Sequence, residues 1–171
     1  CRNGDDVKKM LTPEYLDANH FDGVFFANTT GNIGIPDTKA FAKWISNGHA
    51  YFGAHSAGDT YHPQDANGDT TYIDLISAEF RTHGRQAEAD CTVEDPKHPS
   101  AKHFTGNYKV TDEIYHYKVN HRADVHVILA LKTQPNDGVK DLNGVDGSNK
   151  PTDMLISWCK NVGKGKVFYT A

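Results

Sequence analysis

The stretch 51–60 (YFGAHSAGDT) holds residues whose types and spacing could do chemistry. Gly53-Ala54-His55-Ser56-Ala57 follows a strand-like run and has the layout of G-x-S-x-G, the turn on which hydrolases mount a nucleophile. Small residues are needed there because the turn is tight and a neighbouring helix comes close. Here histidine stands at the nucleophile's position. Ser56 lies beside it. Adjacent residues on a strand face opposite ways, so His55 is badly placed to activate Ser56, and a serine hydrolase is the weaker reading. A tight βα turn with an incidental histidine is the plain alternative. Ser56 and Asp59 on this segment are candidates for holding a substrate.

A second cluster is Thr111-Asp112-Glu113-Ile114-Tyr115-His116-Tyr117. Acid, phenol and imidazole together can orient sugar hydroxyls or transfer protons. In a strand, Glu113, Tyr115 and Tyr117 share one face, with Asp112 and His116 on the other. A polar edge strand with exposed tyrosines is the structural alternative. Asn28-Thr29-Thr30 is formally a glycosylation sequon. It follows the apolar run Gly23–Ala27 directly, which places Asn28 and Thr29 at the carboxyl end of a strand, where open α/β sheets bind ligands.

Of ten histidines, His55, His83, His98, His103, His116, His121 and His126 are candidates for a metal site. None shows H-x-x-x-H or H-E-x-x-H spacing on a helix. The spacing therefore names no cofactor, and a divalent metal gathered from strand ends stays open. His126, on a strand, reads as structural. Asp65-Ala66-Asn67-Gly68-Asp69 resembles the start of a calcium loop, but Thr70 and Ile76 stand where that loop needs Gly and Glu. It reads as a turn.

The elements that must position these residues follow from periodicity. Thr12-Pro13-Glu14 starts a short helix, with Thr as cap and Pro at the first helical position. The opening stretch before it reads as polar and turn-rich. Gly23–Ala27 reads as a buried strand. Residues 37–47 form an amphipathic helix with Phe41, Trp44 and Ile45 on one face, ended by Gly48. Residues 50–53 are the next strand, so a βαβ unit with parallel strands is expected. A helix over 71–80 carries Ile73, Ile76 and Phe80. Residues 86–93 alternate weakly, as an edge or face-exposed strand. Strands follow at 125–131, 154–158 and 167–170, with a long Asn/Asp/Gly-rich loop over 134–151.

A length of 171 residues suits one domain. The net charge of −4 and the scattered Lys and Arg argue against a nucleic-acid surface. No apolar stretch approaches the ~18–20 residues of a membrane span. Cys1, Cys91 and Cys159 make no C-x-x-C pair and no zinc spacing. They read as two strand cysteines in the core and one near an end. The chain opens in loop-like sequence and stops at a strand, so it is expected to be one domain truncated at both ends and lacking its first strand.

Taken in order, several segments resemble the ThuA-like (trehalose-utilisation) family. They are Phe25-Phe26-Ala27-Asn28-Thr29-Thr30-Gly31, Gly53-Ala54-His55-Ser56-Ala57, Phe80-Arg81-Thr82-His83, Glu94-Asp95-Pro96-Lys97-His98-Pro99, Thr111-Asp112-Glu113-Ile114-Tyr115, Ile156-Ser157-Trp158-Cys159 and Gly165-Lys166-Val167-Phe168-Tyr169-Thr170-Ala171. The resemblance implies an α/β fold of the class I glutamine amidotransferase-like (flavodoxin-like) kind, a mostly parallel sheet flanked by helices. It implies histidine at the elbow in place of the amidotransferase cysteine, and so speaks against glutaminase chemistry. It links the chain to trehalose, related disaccharides or keto-sugars. The sequence departs from the family pattern at Met154-Leu155, where many members have His-Pro. It also lacks an aromatic-Arg-His segment near the start and a Leu-Gly-His after the last strand.

The enzyme reading makes His55 and Glu113 the proton-transfer pair, with His83 assisting. Asn28, Thr29, Ser56, Asp59, Tyr115 and Tyr117 would hold hydroxyls. The alternative is a non-catalytic carbohydrate-binding or accessory domain, and a divergent serine hydrolase or amidase comes third. The expected partner is a small sugar or sugar derivative, with no nucleic acid and no membrane. A homo-oligomer, further domains and the compartment, cytoplasmic or exported, stay open.

Overall fold

The computed structural model describes residues 1, 3–64, 66–118, 122–133, 135–139 and 154–171. They form two compact units, residues 1–77 with 160–169, and residues 78–159 with 170–171.

The first unit opens with a helix, α1 (Gly4–Met10), where the sequence reads as turns. Asn3 caps it by accepting the Asp6 N–H, Asp5 and Asp6 sit in the first turn, and Lys8 and Lys9 in the last. Those charges complement the helix dipole. Only Val7 is buried, so no apolar stripe announces the helix. The helix α2 (Pro13–Ala18) starts as expected, with Thr12 Oγ1 accepting the Tyr15 N–H. Strands β1 (Gly23–Ala27) and β2 (Ala50–Ala54) pair in parallel from Gly23↔Ala50 to Ala27↔Ala54. Between them runs α3 (Thr38–Ser46), capped by Asp37 and burying Phe41, Trp44 and Ile45. Gly48, at φ +135°, takes a conformation open to glycine as the chain leaves the helix.

Two expectations are corrected in this unit. The strand β1 is present, but only Phe26 is buried in it, and Phe25 is 57% exposed and stacked on Phe52. The reason is position, because β1 ends the strand order. The helix expected to reach Phe80 is α4 (Thr71–Ile76). It stops because Ser77 turns left-handed at φ +56° and its N–H closes on the Ile73 carbonyl.

The second unit holds β3 (Phe80–His83), β4 (Ala87–Val93), β5 (Tyr108–Asp112), β6 (Tyr115–Tyr117), β7 (His126–Leu131) and most of β8 (Leu155–Val162). The strand β4 is not an edge. It pairs antiparallel with both β5 and β7, and its alternation turns Ala87, Ala89 and Cys91 inward. The strand β7 pairs antiparallel with β8, and β3 with β6. The single strand expected over 111–117 is broken. Asp112 Oδ1 accepts the Glu113 N–H, β5 ends there, and β6 begins at Tyr115 in the other sheet. Tyr115, His116 and Tyr117 are all buried, so the exposed-tyrosine alternative fails.

Strand order is β1-β2-β9 in the first unit, with β9 at Gly165–Thr170, and β8-β7-β4-β5 in the second. The fold is the expected α/β class. Its sheet is mixed, parallel at β1–β2 and antiparallel through β8-β7-β4-β5. No helix among the described residues is long and apolar enough to cross a membrane.

Candidate functional site

The strand β2 ends at Ala54, and residues His55–Asp59 form a short 3-10 turn. His55 has φ +47°. A bulky residue rarely adopts that conformation, which costs about 1–3 kcal/mol and persists only where the surroundings impose it. The surroundings are three buried tyrosines. Tyr169 Oη donates to the His55 carbonyl at 2.6 Å, and Tyr72 Oη to the Ala57 carbonyl at 2.9 Å. Tyr72 spends its one proton there, so Tyr51 Oη donates to Tyr72 Oη, at 2.6 Å. Burial pushes the Tyr51 and Tyr72 phenols up from their ordinary value, so both stay protonated as donors.

The small residues of the motif are required by these rings. A Cβ at Gly53 would lie 2.8 Å from Tyr51 Oη, and one at Gly58 would lie 2.5 Å from Tyr169 Oη. The elbow sequence thus folds as an elbow, with the half-buried His55 and Ser56 at its start.

The loop leaving β1 is zipped to the far end of this turn. Asn28, at φ +55°, donates its N–H to the Ala54 carbonyl at 3.3 Å. Thr29 and Thr60 share a hydroxyl hydrogen bond of 2.9 Å, and Gly31 N–H donates to the Asp59 carbonyl at 2.9 Å. The Asp59 carboxylate accepts the Thr30 hydroxyl at 2.5 Å on Oδ2 and faces His62 Nε2 at 2.7 Å on Oδ1. Asn28, Thr29, His55, Ser56 and Asp59 are therefore all gathered at the carboxyl ends of β1 and β2. His62 was not among the sequence candidates. Its signal was the Asp-x-x-His spacing just past the elbow. A cavity of about 640 Å³ in the same unit is walled chiefly by apolar side chains of α1, α2 and β1, with Thr29 and Asn32 among its lining.

His83, Glu113, Tyr115 and Tyr117 belong to the second unit. His83 stands opposite Tyr115 in the β3–β6 pair, stacks on its ring at 6.0 Å, and donates from Nδ1 to the Gly84 carbonyl. Glu113 lines a cavity of about 190 Å³ with Asp112, Tyr108 and Tyr115. Tyr117 meets Trp158 edge-on. His116 is buried against Asp137, with Nε2 and Oδ2 2.6 Å apart.

The remaining motifs resolve locally. Asp69, one residue before Thr70 at the N-cap of α4, accepts the Thr38 hydroxyl at 2.6 Å and the Thr71 N–H at 2.9 Å. The Thr38 and Thr71 hydroxyls hold its carboxyl down at about 2. Asp65, His121, Gln134 and residues 140–153 lie outside the described residues. His126 pairs with Asp95 at 2.8 Å, and His103 packs on Phe104. Among the described residues no group of three or more His, Cys, Asp or Glu is placed to hold a metal ion. Cys91 is buried in β4, where burial pushes its thiol up to about 11. Cys159 is half-buried and Cys1 exposed.

A protein-family model described as trehalose utilisation, ThuA, matches residues 3–171. Among solved structures, the chain is similar to a protein from Bacteroides uniformis ATCC 8492 described as ThuA-like. The TM-score is 0.64 at 21% identity, over 94% of this chain and 62% of that one. A protein from Parabacteroides merdae ATCC 43184, also described as ThuA-like, has a TM-score of 0.62 at 13% identity, over 99% and 64%. A beta-galactosidase from Bacillus circulans sp. alkalophilus has a TM-score of 0.56 at 8% identity, over 91% of this chain and 20% of that one. At such identities the likenesses speak for the fold. No curated protein matches the chain. The chain spans a little under two thirds of the length of both ThuA-like structures.

Proposed function

The chain belongs to the ThuA (trehalose utilisation) family, and from that premise we propose that the turn after β2 holds a sugar or keto-sugar, with His55 as the group that moves a proton. The observation that carries this reading is the left-handed backbone of His55, held by Tyr169 and its neighbours. Strain maintained at one histidine, at the carboxyl end of a parallel strand, is where a binding site is sought in such sheets. The groups gathered around the turn suit hydroxyls. Asn28, Thr29 and Ser56 can donate and accept, and Asp59 accepts. An imidazole placed there can take a proton from a carbon beside a ketone, a step that needs no covalent nucleophile.

Glu113 and His83, on the second unit, are proposed separately as proton-transfer groups there, with Tyr115 and Tyr117 supplying hydroxyls. Turnover of the sugar by Glu113→Gln and His83→Ala tests each part. For His55 the experiment compares the intact protein with His55→Ala, using calorimetry for binding of trehalose and of a 3-keto-disaccharide, and chromatography for product formed from the 3-keto-disaccharide. Loss of turnover in a folded variant supports the reading. Unchanged turnover overturns it.

One observation favours a second reading. The likeness to the beta-galactosidase covers only a fifth of that chain, so this fold also occurs as one part of a larger chain. A non-catalytic carbohydrate-binding role fits that use. Its mark is trehalose binding that survives His55→Ala while no product forms with either protein.

A further inference from the structure

We propose that Cys159 and His98 form a reactive thiol–imidazole site at which hydroperoxides oxidise the protein, a property independent of the sugar reading. Both residues lie in the second unit. Cys159 sits on β8, half-buried, directly opposite His126 of β7. Its Sγ is 3.8 Å from His98 Nε2.

The turn that carries His98 is built to aim it. Asp95 Oδ1 accepts the N–H of Lys97 at 3.0 Å and of His98 at 3.2 Å, and prolines stand at 96 and 99. The other oxygen of Asp95 takes His126 Nε2 at 2.8 Å. That hydrogen bond is the chief reason the Asp95 carboxyl lies below its ordinary value. The carboxylate therefore ties the turn to the strand facing Cys159.

The partners of the His98 ring assign its proton. Nδ1 has the Ser100 hydroxyl at 2.8 Å and accepts the Ser100 N–H at 3.3 Å. With Nδ1 accepting, the proton of the neutral ring sits on Nε2, which faces the sulfur. A donor aimed at sulfur favours the thiolate, and the thiolate is the nucleophile. The third group that orients the imidazole, as activated nucleophiles require, is Ser100.

The reaction balances without a metal or cofactor. The thiol proton passes to water, and the thiolate attacks the terminal oxygen of the hydroperoxide. The S–O bond forms as the O–O bond breaks. Sulfur gives up two electrons, and the departing alkoxide or hydroxide takes a proton from water. The products are a sulfenic acid on Cys159 and an alcohol or water.

Hydrogen peroxide tests this directly. After timed exposure, remaining thiols are capped with iodoacetamide and each cysteine peptide is quantified by mass spectrometry. The Cys159 thiol is expected to disappear at least about tenfold faster in the native protein than in His98→Ala. The same excess is expected over the chain unfolded in urea, a comparison that needs no variant. Equal rates in the native protein and either reference overturn the proposal. Cys91, buried, serves as the cysteine that peroxide does not reach in the native state.

Discussion

The packing of Gly58 against Tyr169 gives the sharpest test of how the turn is held. A Cβ at position 58 would lie 2.5 Å from Tyr169 Oη but 3.2 Å from its Cζ. The clash is thus with the hydroxyl that holds the His55 carbonyl. Tyr169 is fully buried and cannot swing into solvent. Gly58→Ala must push the phenol away, which costs about 1–3 kcal/mol for overpacking. Stiffening of the unfolded chain returns ~0.4–1 kcal/mol. Tyr169→Phe alone removes the hydrogen bond to the His55 carbonyl and costs about 0.5–1.5 kcal/mol. In the double variant the hydroxyl that the added methyl group would strike is already gone. The two losses should therefore overlap, with a coupling of ~1–2 kcal/mol, as for residues in contact. Urea unfolding of wild type, both single variants and the double variant measures it. Additivity within ~0.5 kcal/mol would mean that the hydroxyl does not link these residues, and the account of the turn would be wrong.

Other outcomes follow from the same contacts. Asp69 has its carboxyl lowered to about 2, so it stabilises the fold above the ordinary carboxyl value and loses that contribution as pH falls toward 2. Asp69→Asn should flatten the acid limb of Tm against pH between about 4 and 2. The effect is modest at this solvated site, and unchanged limbs would contradict it. His116 and Asp137 form a fully buried pair. His116→Ala should cost about 3–5 kcal/mol by stranding the carboxylate, read from urea unfolding, and a loss under ~1 kcal/mol would contradict the pairing. Cys91, with its thiol near 11, should take up iodoacetamide at pH 7 only when urea unfolds the chain.

Much of the scaffold was legible because local signals agreed with one another. The helix α3 had a capping Asp37, a stripe of Phe41, Trp44 and Ile45, and Gly48 beyond it. The helix α1 was not legible, because a helix that buries only Val7 leaves no periodic trace. The end of α4 was hidden for another reason. Phe80 continues the apolar stripe of Ile73 and Ile76, while the break rests on a left-handed Ser77, which no glycine announces. Alternation likewise carried the expected strand through residues 111–117. The Asp112 side chain, taking the Glu113 N–H, ends β5 there. At the site, the elbow was readable from Gly53 and Ala57 flanking a histidine. His62 was missed although the Asp-x-x-His spacing was there, because that spacing becomes a pair only through the turn of the folded chain.

The central claim, that His55 moves a proton on a sugar, is tested most directly by hydrogen–deuterium exchange. A 3-keto-disaccharide is incubated in D2O with the intact protein or with His55→Ala, and NMR follows deuterium entering the carbons beside the carbonyl. General-base catalysis predicts exchange in the wild type that falls at least about 100-fold in the folded variant. Equal exchange in both proteins, or none with the wild type, would contradict the claim.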